Sequence, residues 1–258
     1  MKKTILITGA SSGIGTEFAR LFAKGGNNLI LTARNTSKLE SLKNELITHK
    51  IQIKIVSLDL SLPASADKLF EVCESDNIDI LINNAGIGLY GEHTSIPQKE
   101  IEAMINLNIT SLITLCRVFG DQMKLRKSGS ILNVASTAAY QPVPTLAAYA
   151  ASKSFVLNFS EAISQELYPY GVVVSCLSPG HTDTEFFTSA GIESKDSGFF
   201  STKGRIHPSK VAQHGINILF KKKISSIPGV KNYILAFSNR FAPRAIVARL
   251  SKLLLSGV

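Results

Sequence analysis

Tyr149 and Lys153 stand four residues apart in YAASK at 149–153, and Ser136 lies thirteen residues before the tyrosine. On a helix, an i, i+4 spacing stacks both side chains on one face. A free phenol ionises near pH ~10, too high for easy proton transfer at neutrality. A neighbouring ammonium favours the phenolate and can bring that value down by about 1–3. Acid–base help of this kind contributes roughly 10²–10⁴ in rate. Taken alone the pair also reads as a packed Tyr beside a solvated Lys. Ser136 shifts the balance, because it follows the apolar strand candidate ILNV at 131–134. A hydroxyl at the C-terminal end of a parallel strand points into the crevice where ligands bind, where it can hold a carbonyl for attack. By itself Ser136 also reads as a cap.

At the opposite end of the chain an apolar run at 4–7 feeds TGASSGIG at 8–15. Gly9, Gly13 and Gly15 let backbone approach a phosphate, the helix opening near Gly13 offers unpaired N–H groups, and Ser11 and Ser12 add hydroxyls. Gly-x3-Gly-x-Gly differs from the Gly-x-Gly-x-x-Gly spacing, but the physics is shared. Ile14 lies within the same turn. After the second strand, LTARN at 31–35 offers no carboxylate for a ribose 2′-hydroxyl; Arg34 can pair with a 2′-phosphate or stay solvated at a helix start. NADP(H) is therefore the expected cofactor. Asp59, with Leu60 beside it, can accept from an adenine amino group or cap a turn before Pro63. Asn84, Ala85 and Gly86, in NNAG at 83–86, let a cofactor pass close by, or form an ordinary turn.

These residues need a scaffold. Strand-like segments near 3–8, 28–33, 51–57, 79–83, 129–135 and 172–178 alternate with helical patterns at 13–25, 37–48, 64–75, 99–126, 147–169 and 209–221. That alternation predicts an α/β fold: one doubly wound domain over 1–258, a mostly parallel sheet of about six or seven strands with helices on both faces, and a C-terminal helical extension. Continuous apolar runs at 4–7, 80–82 and 172–174 suit central strands, and the alternation at 51–55 suits an edge. An order of 3-2-1-4-5-6 would put the third strand there.

Together TGASSGIG, NNAG, Ser136 and YAASK, in this order, resemble the short-chain dehydrogenase/reductase family over about residues 3–222. The resemblance implies a Rossmann-type fold with Tyr149 as acid/base, Lys153 binding ribose and tuning the phenol, and Ser136 orienting the carbonyl. It matches Asn108 to a helix Asn that holds a proton-relay water, with Asn106 a near alternative. It also implies that Pro179, Gly180 and Thr182 contact the nicotinamide carboxamide, with Thr184 at the hydroxyl position. Thr182 departs from the aliphatic residue usual there. Dimers or tetramers through helices near 99–126 and 147–169 are implied as well.

The chain has 258 residues, 45% of them hydrophobic, enough for one large core. Cys73, Cys116 and Cys176 form no CxxC pair, which fits reduced thiols in a cytoplasmic setting, and the five histidines lack metal-ligand spacing; no metal is expected. No stretch reads as a membrane span or signal peptide. The formal charge is +9, yet no Asp or Glu follows Asp196 while eleven Lys and Arg do, so the excess belongs to the C-terminal quarter. No nucleic-acid-reading module accompanies it. In the basic extension at about 223–258, Ile246, Leu250, Leu253 and Leu254 share a helical face, which can lie on an anionic membrane, cover a lipid-like substrate, or pack on the domain or a partner subunit. Residues 185–207 stand where a substrate lid is expected: Phe186, Phe187, Phe199 and Phe200, among Gly191, Gly198 and Gly204, suit either a mobile apolar cover or a satellite core. The expected activity is NADPH-dependent reduction of a ketone or aldehyde on an apolar small molecule, ketoacyl or steroid-like. Alternatives are oxidation of a secondary alcohol and an NADP(H)-binding sensor or scaffold without turnover.

Overall fold

The computed structural model describes residues 2–192 and 204–256. Seven strands form one parallel sheet: β1 (Thr4–Thr8), β2 (Asn28–Ala33), β3 (Ile53–Ser57), β4 (Ile80–Asn83), β5 (Gly129–Val134), β6 (Val172–Leu177) and β7 (Ser225–Ser226). Their order is β3-β2-β1-β4-β5-β6-β7, with every neighbouring pair parallel. The predicted order is thus present, extended by β7, a two-residue strand too short to leave a periodic trace in the sequence.

Side chains of successive strand residues alternate between two helical layers. Ile5, Ile7, Leu29, Leu31, Ile80 and Ile82 pack against α1 (Gly13–Lys24), α2 (Thr36–Leu46) and α8 (Pro208–Phe220). Leu6, Ile30, Leu81, Ile131 and Val174 face α3 (Ser65–Cys73), α5 (Ser111–Arg126) and α6 (Ala147–Leu167). This double cover explains the unbroken apolar runs. Burying one such Leu or Ile contributes roughly 1.5–3 kcal/mol. Among the described residues β3 pairs with β2 alone, and Lys54 on it reaches Asp76 at 2.7 Å, as its alternating sequence predicts for an edge.

Two expectations need correction. The helix expected at 99–126 is α4 (Gln98–Ile105), a π turn over Asn106–Thr110, and α5. The continuous run Gln98–Arg126 is also long and apolar enough, by length and composition, to cross a membrane, contrary to the sequence reading. Its apolar content has a local explanation: Leu112, Leu115, Cys116, Phe119 and Met123 are buried against the sheet.

Past β6 come α7 (Phe186–Ser189), α8, then α9 (Val230–Ser238) and α10 (Arg244–Ser256). The strand order reverses between β1 and β4, and a crevice opens there at the C-terminal strand ends.

Candidate active site

β1 ends in a turn held from the neighbouring strand. The Thr8 hydroxyl accepts from the N–H groups of Asn84 and Ala85, each at 3.0 Å, and the Asn84 amide donates to the Thr8 and Gly9 carbonyls at 3.0 and 3.2 Å. Gly9 has φ +65°, and a Cβ there would lie 2.9 Å from the Ala85 Cα, so both conformation and space call for glycine. A Cβ on Gly15 would overlap the Gly9 carbonyl oxygen. Ser12 caps α1 in extended conformation without a side-chain capping bond, leaving the first N–H groups of α1 and the Ser12 hydroxyl for a ligand. Gly13 sits against Thr184.

At the ends of β2 and β3, Arg34 is 64% exposed and 3.8 Å from Asp59 Oδ2. Asp59 Oδ1 accepts from both the N–H and the hydroxyl of Ser61, so the turn-capping reading of Asp59 is realised. Asn35 caps α2 by accepting from Lys38 N–H, and Lys38 Nζ pairs with Glu185 at 2.8 Å across the crevice. Neither member of that pair was singled out in the sequence. Lys38 stands in the first turn of α2, four residues after Arg34, a proximity that could have flagged it; Glu185 carries no local signal.

On the other side of the crevice, Ser136 caps a short 3-10 turn, accepting from Ala138 N–H at 3.1 Å, and its hydroxyl favours the ionised form of the Tyr149 phenol. Tyr149 and Lys153 stand in the first two turns of α6, both buried. Lys153 Nζ donates to the Val134 carbonyl at 2.9 Å and lies 5.9 Å from the Tyr149 ring centroid. Burial pushes the phenol up to about 12 against the smaller opposing effect of the Ser136 hydroxyl, and burial pushes the ammonium down to about 8. The expectation that Lys153 brings the phenol below its ordinary value is therefore reversed. Both groups are buried, and burial outweighs the neighbouring charge, while Lys153 Nζ directs one of its donors to the Val134 carbonyl.

Asn108 lies in the π turn, 1% exposed. Its side chain accepts from Ile87 N–H at 3.0 Å, donates to the Ile87 carbonyl at 2.9 Å, and donates to Ser152 at 3.0 Å. All three bonds tie the NNAG strand end to the π turn and α6. Asn106 is only half-buried and makes none of them.

These two ends share one cleft of about 430 Å³. Its wall includes Gly9, Ser11, Ser12, Gly13 and Ile14 from the first turn, with Arg34, Asp59 and Leu60. Asn84, Ala85, Gly86, Ser136, Tyr149 and Lys153 follow, then Pro179, Gly180, Thr182 and Thr184. Gly15 and Asn108 lie behind the wall. Thr182 turns its hydroxyl to the Gly180 carbonyl at 3.0 Å, and Thr184 accepts from Phe186 N–H at 3.3 Å. Phe186 packs 5.2 Å from the Tyr149 ring, and Phe187 joins Met104, Val143, Leu146 and Tyr149 in a small apolar cluster. Both phenylalanines also line the cleft. Gly198, Phe199 and Phe200 lie outside the described residues. Gln141, His181 and Leu146 line the cleft too without having been anticipated.

The curated relatives of this chain include very-long-chain 3-oxoacyl-CoA reductase of Pyrenophora tritici-repentis, 37% identical over 179 residues. That match takes in 67% of this chain and 52% of the relative. Mouse 17-beta-hydroxysteroid dehydrogenase type 3 is 34% identical over 182 residues, covering 69% and 60%. The chain thus spans about half the length of the curated relatives it matches. Among solved structures, a short-chain dehydrogenase from Sphingobium yanoikuyae in complex with NADPH superposes with a TM-score of 0.84 at 29% identity, covering 95% of this chain and 94% of that one. The short chain dehydrogenase family model matches residues 3–194, three quarters of the sequence and every element from β1 to α7. With that match and this fold, the chain belongs to the short-chain dehydrogenases, a family of nucleotide-binding oxidoreductases.

Proposed function

We propose that the protein reduces a ketone or aldehyde on an apolar small molecule with NADPH. The observation that carries this reading is the single cleft whose wall includes both the glycine turn and the Ser136–Tyr149–Lys153 set. The residues fit a dinucleotide phosphate: the open start of α1 and the uncommitted Ser12 hydroxyl suit a pyrophosphate, and Arg34, exposed just before the cap of α2, suits a 2′-phosphate. When bound, the nicotinamide would supply the hydride.

The rest of the chemistry belongs to the chain. Ser136 holds the carbonyl oxygen by hydrogen bond, aiming the carbon at the cofactor. Tyr149, pushed up to about 12 by burial, keeps its proton at neutral pH and delivers it to that oxygen as negative charge develops. Lys153, whose ammonium has three N–H donors and uses one on the Val134 carbonyl, would hold the cofactor ribose and stabilise the phenolate left behind. Asn108 holds the strand end and α6 in register through its three bonds. Phe186 and Phe187 form the apolar side of the substrate space and keep water from the phenol. The relatives' names, a 3-oxoacyl-CoA reductase and a hydroxysteroid dehydrogenase, favour ketones on long apolar skeletons.

The test is a screen of steroid ketones, 3-ketoacyl thioesters and simple ketones with NADPH and NADH, followed by nicotinamide absorbance, in parent and Tyr149→Phe. Reduction by the parent, cofactor binding retained in the variant, and turnover lower by about 10²–10⁴ are expected. Unchanged turnover in the variant would remove Tyr149 as the acid.

A further inference from the structure

The C-terminal helices carry most of their large apolar residues on the side away from the protein. In α9 the residues turned toward the body are small or polar: Asn232 packs on Gly180, Ala236 is buried, and Asn239, just past the helix, donates to Gln141 at 2.7 Å. The opposite stripe is Val230, Tyr233, Ile234, Phe237 and Phe241, at i, i+3, i+4, i+7 and i+11, each between 42% and 78% exposed. It is continuous: the Tyr233 and Phe237 rings stack at 6.0 Å, and Phe241 meets Phe237 edge-on at 5.4 Å. α10 repeats the arrangement, burying Val247 and Ser251 while Ile246 and Leu250 stay outside at 47% and 53% exposure. A helix that folds only onto its own domain shows the reverse polarity, and an apolar patch of this extent marks an interaction surface.

Charge selects the occupant. The helix pair carries Lys231, Arg240, Arg244, Arg249 and Lys252 and no carboxylate side chain. The Arg240 guanidinium sits 5.4 Å over the Phe237 ring, on the exposed stripe itself. A two-fold contact between copies would set these cations against their own equivalents, with no acid from the helix pair to separate them. An anionic bilayer suits both features: lipid headgroups neutralise the cations while aromatic and aliphatic side chains enter the interface.

We propose that α9 and α10 dock the protein onto an anionic phospholipid bilayer through this stripe. The cleft edge is then held beside the lipid, because Asn232 and Asn239 touch Gly180 and Gln141, both of which line the cleft. Docking stands on the surface alone; the corollary, that an apolar carbonyl substrate is taken from the bilayer, rests on the function proposed above.

Co-sedimentation with vesicles tests the docking without substrate or cofactor. The full chain should bind phosphatidylcholine vesicles containing about a third phosphatidylserine, ignore pure phosphatidylcholine, and release at high salt. A triple variant, Arg240→Gln, Arg244→Gln and Arg249→Gln, should lose roughly a hundredfold in partition, since each cation contributes about fivefold. A second variant, Tyr233→Ser, Phe237→Ser and Phe241→Ser, should lose anionic binding with an unchanged circular dichroism spectrum, since these side chains are exposed. The parent's salt and lipid dependence needs no substitution, so misfolding of a variant leaves the test standing. Parent protein that stays in the supernatant with anionic vesicles overturns the proposal. So does vesicle binding unaltered in both variants, or a serine variant that turns a dimer into a monomer in sedimentation velocity while still binding lipid.

Discussion

Replacing Lys153 with methionine should make the cofactor-free protein more stable at neutral pH while abolishing its chemistry. Lys153 is 4% exposed, and its ammonium donates to the neutral Val134 carbonyl. Burial lowers its pKa from 10.5 to about 8, a penalty on the charged form of about 3 kcal/mol at 1.36 kcal/mol per pH unit. Methionine keeps the volume of the stem, and the Val134 carbonyl, left without its donor, takes back about 1–2 kcal/mol. A net gain of roughly 2 kcal/mol below pH 8 remains. The sign with pH follows from proton counts. Below pH 8 both folded and unfolded parent carry the proton, and the penalty is complete. Between 8 and 10.5 the unfolded chain keeps its proton while the folded chain sheds it, so parent stability rises with pH and the variant's advantage disappears. Urea unfolding of parent and variant at pH 6.5, 8 and 10 measures this directly. A variant less stable than the parent at pH 6.5, or a difference constant across the range, refutes the claim that a costly buried charge is kept for function.

Three further outcomes follow from the cleft. Arg34→Leu should raise the KM for NADPH about 10–100-fold and leave NADH unchanged, the span of one charge-assisted hydrogen bond to phosphate; equal effects on both coenzymes would place the arginine elsewhere. Glu185→Gln frees Lys38 from its half-exposed pair and removes a carboxylate from the cleft wall, so NADPH should bind about 2–5-fold tighter by titration calorimetry, with unfolding free energy altered by less than about 1 kcal/mol. Gly15→Ala forces a Cβ onto the Gly9 carbonyl, so denaturant unfolding should show a loss of about 1–3 kcal/mol and weaker binding of either coenzyme; retention of both would show that the turn can shift freely.

The parts of this protein legible in sequence are those whose constraint is local. Gly9 and Gly15 announce themselves because backbone conformation and contact distance leave room for no other residue. Sheet order follows from strands that are apolar on both faces and one, β3, that is not. What stays hidden depends on elements distant in the chain. The Lys38–Glu185 pair joins residues 147 positions apart. The ionisation of Tyr149 was read with the wrong sign, because a Lys four residues on suggests an ion-pair effect, whereas burial by Phe186, Met104 and Leu146 decides it. The anchoring of Asn108 to the Ile87 backbone and Ser152 depends on a π turn that its own sequence, NLNIT, does not signal. In α10, apolar spacing marks the face of Ile246 and Leu250 but not its direction, which the fold decides by burying Val247 and Ser251 and leaving Ile246 and Leu250 outside.

That π turn lets one rod serve two different interiors. Before it, Met104 points into the small cluster around Tyr149; after it, Leu112, Leu115 and Phe119 point into the layer beneath the sheet. One surplus residue in a helix turns everything downstream by about 100°. Deleting a single residue within 106–110 would restore regular winding and swing one half's oily stripe out of its seat. Catalytic geometry and sheet integrity would then fail together, so this segment should tolerate substitution far better than a change in length.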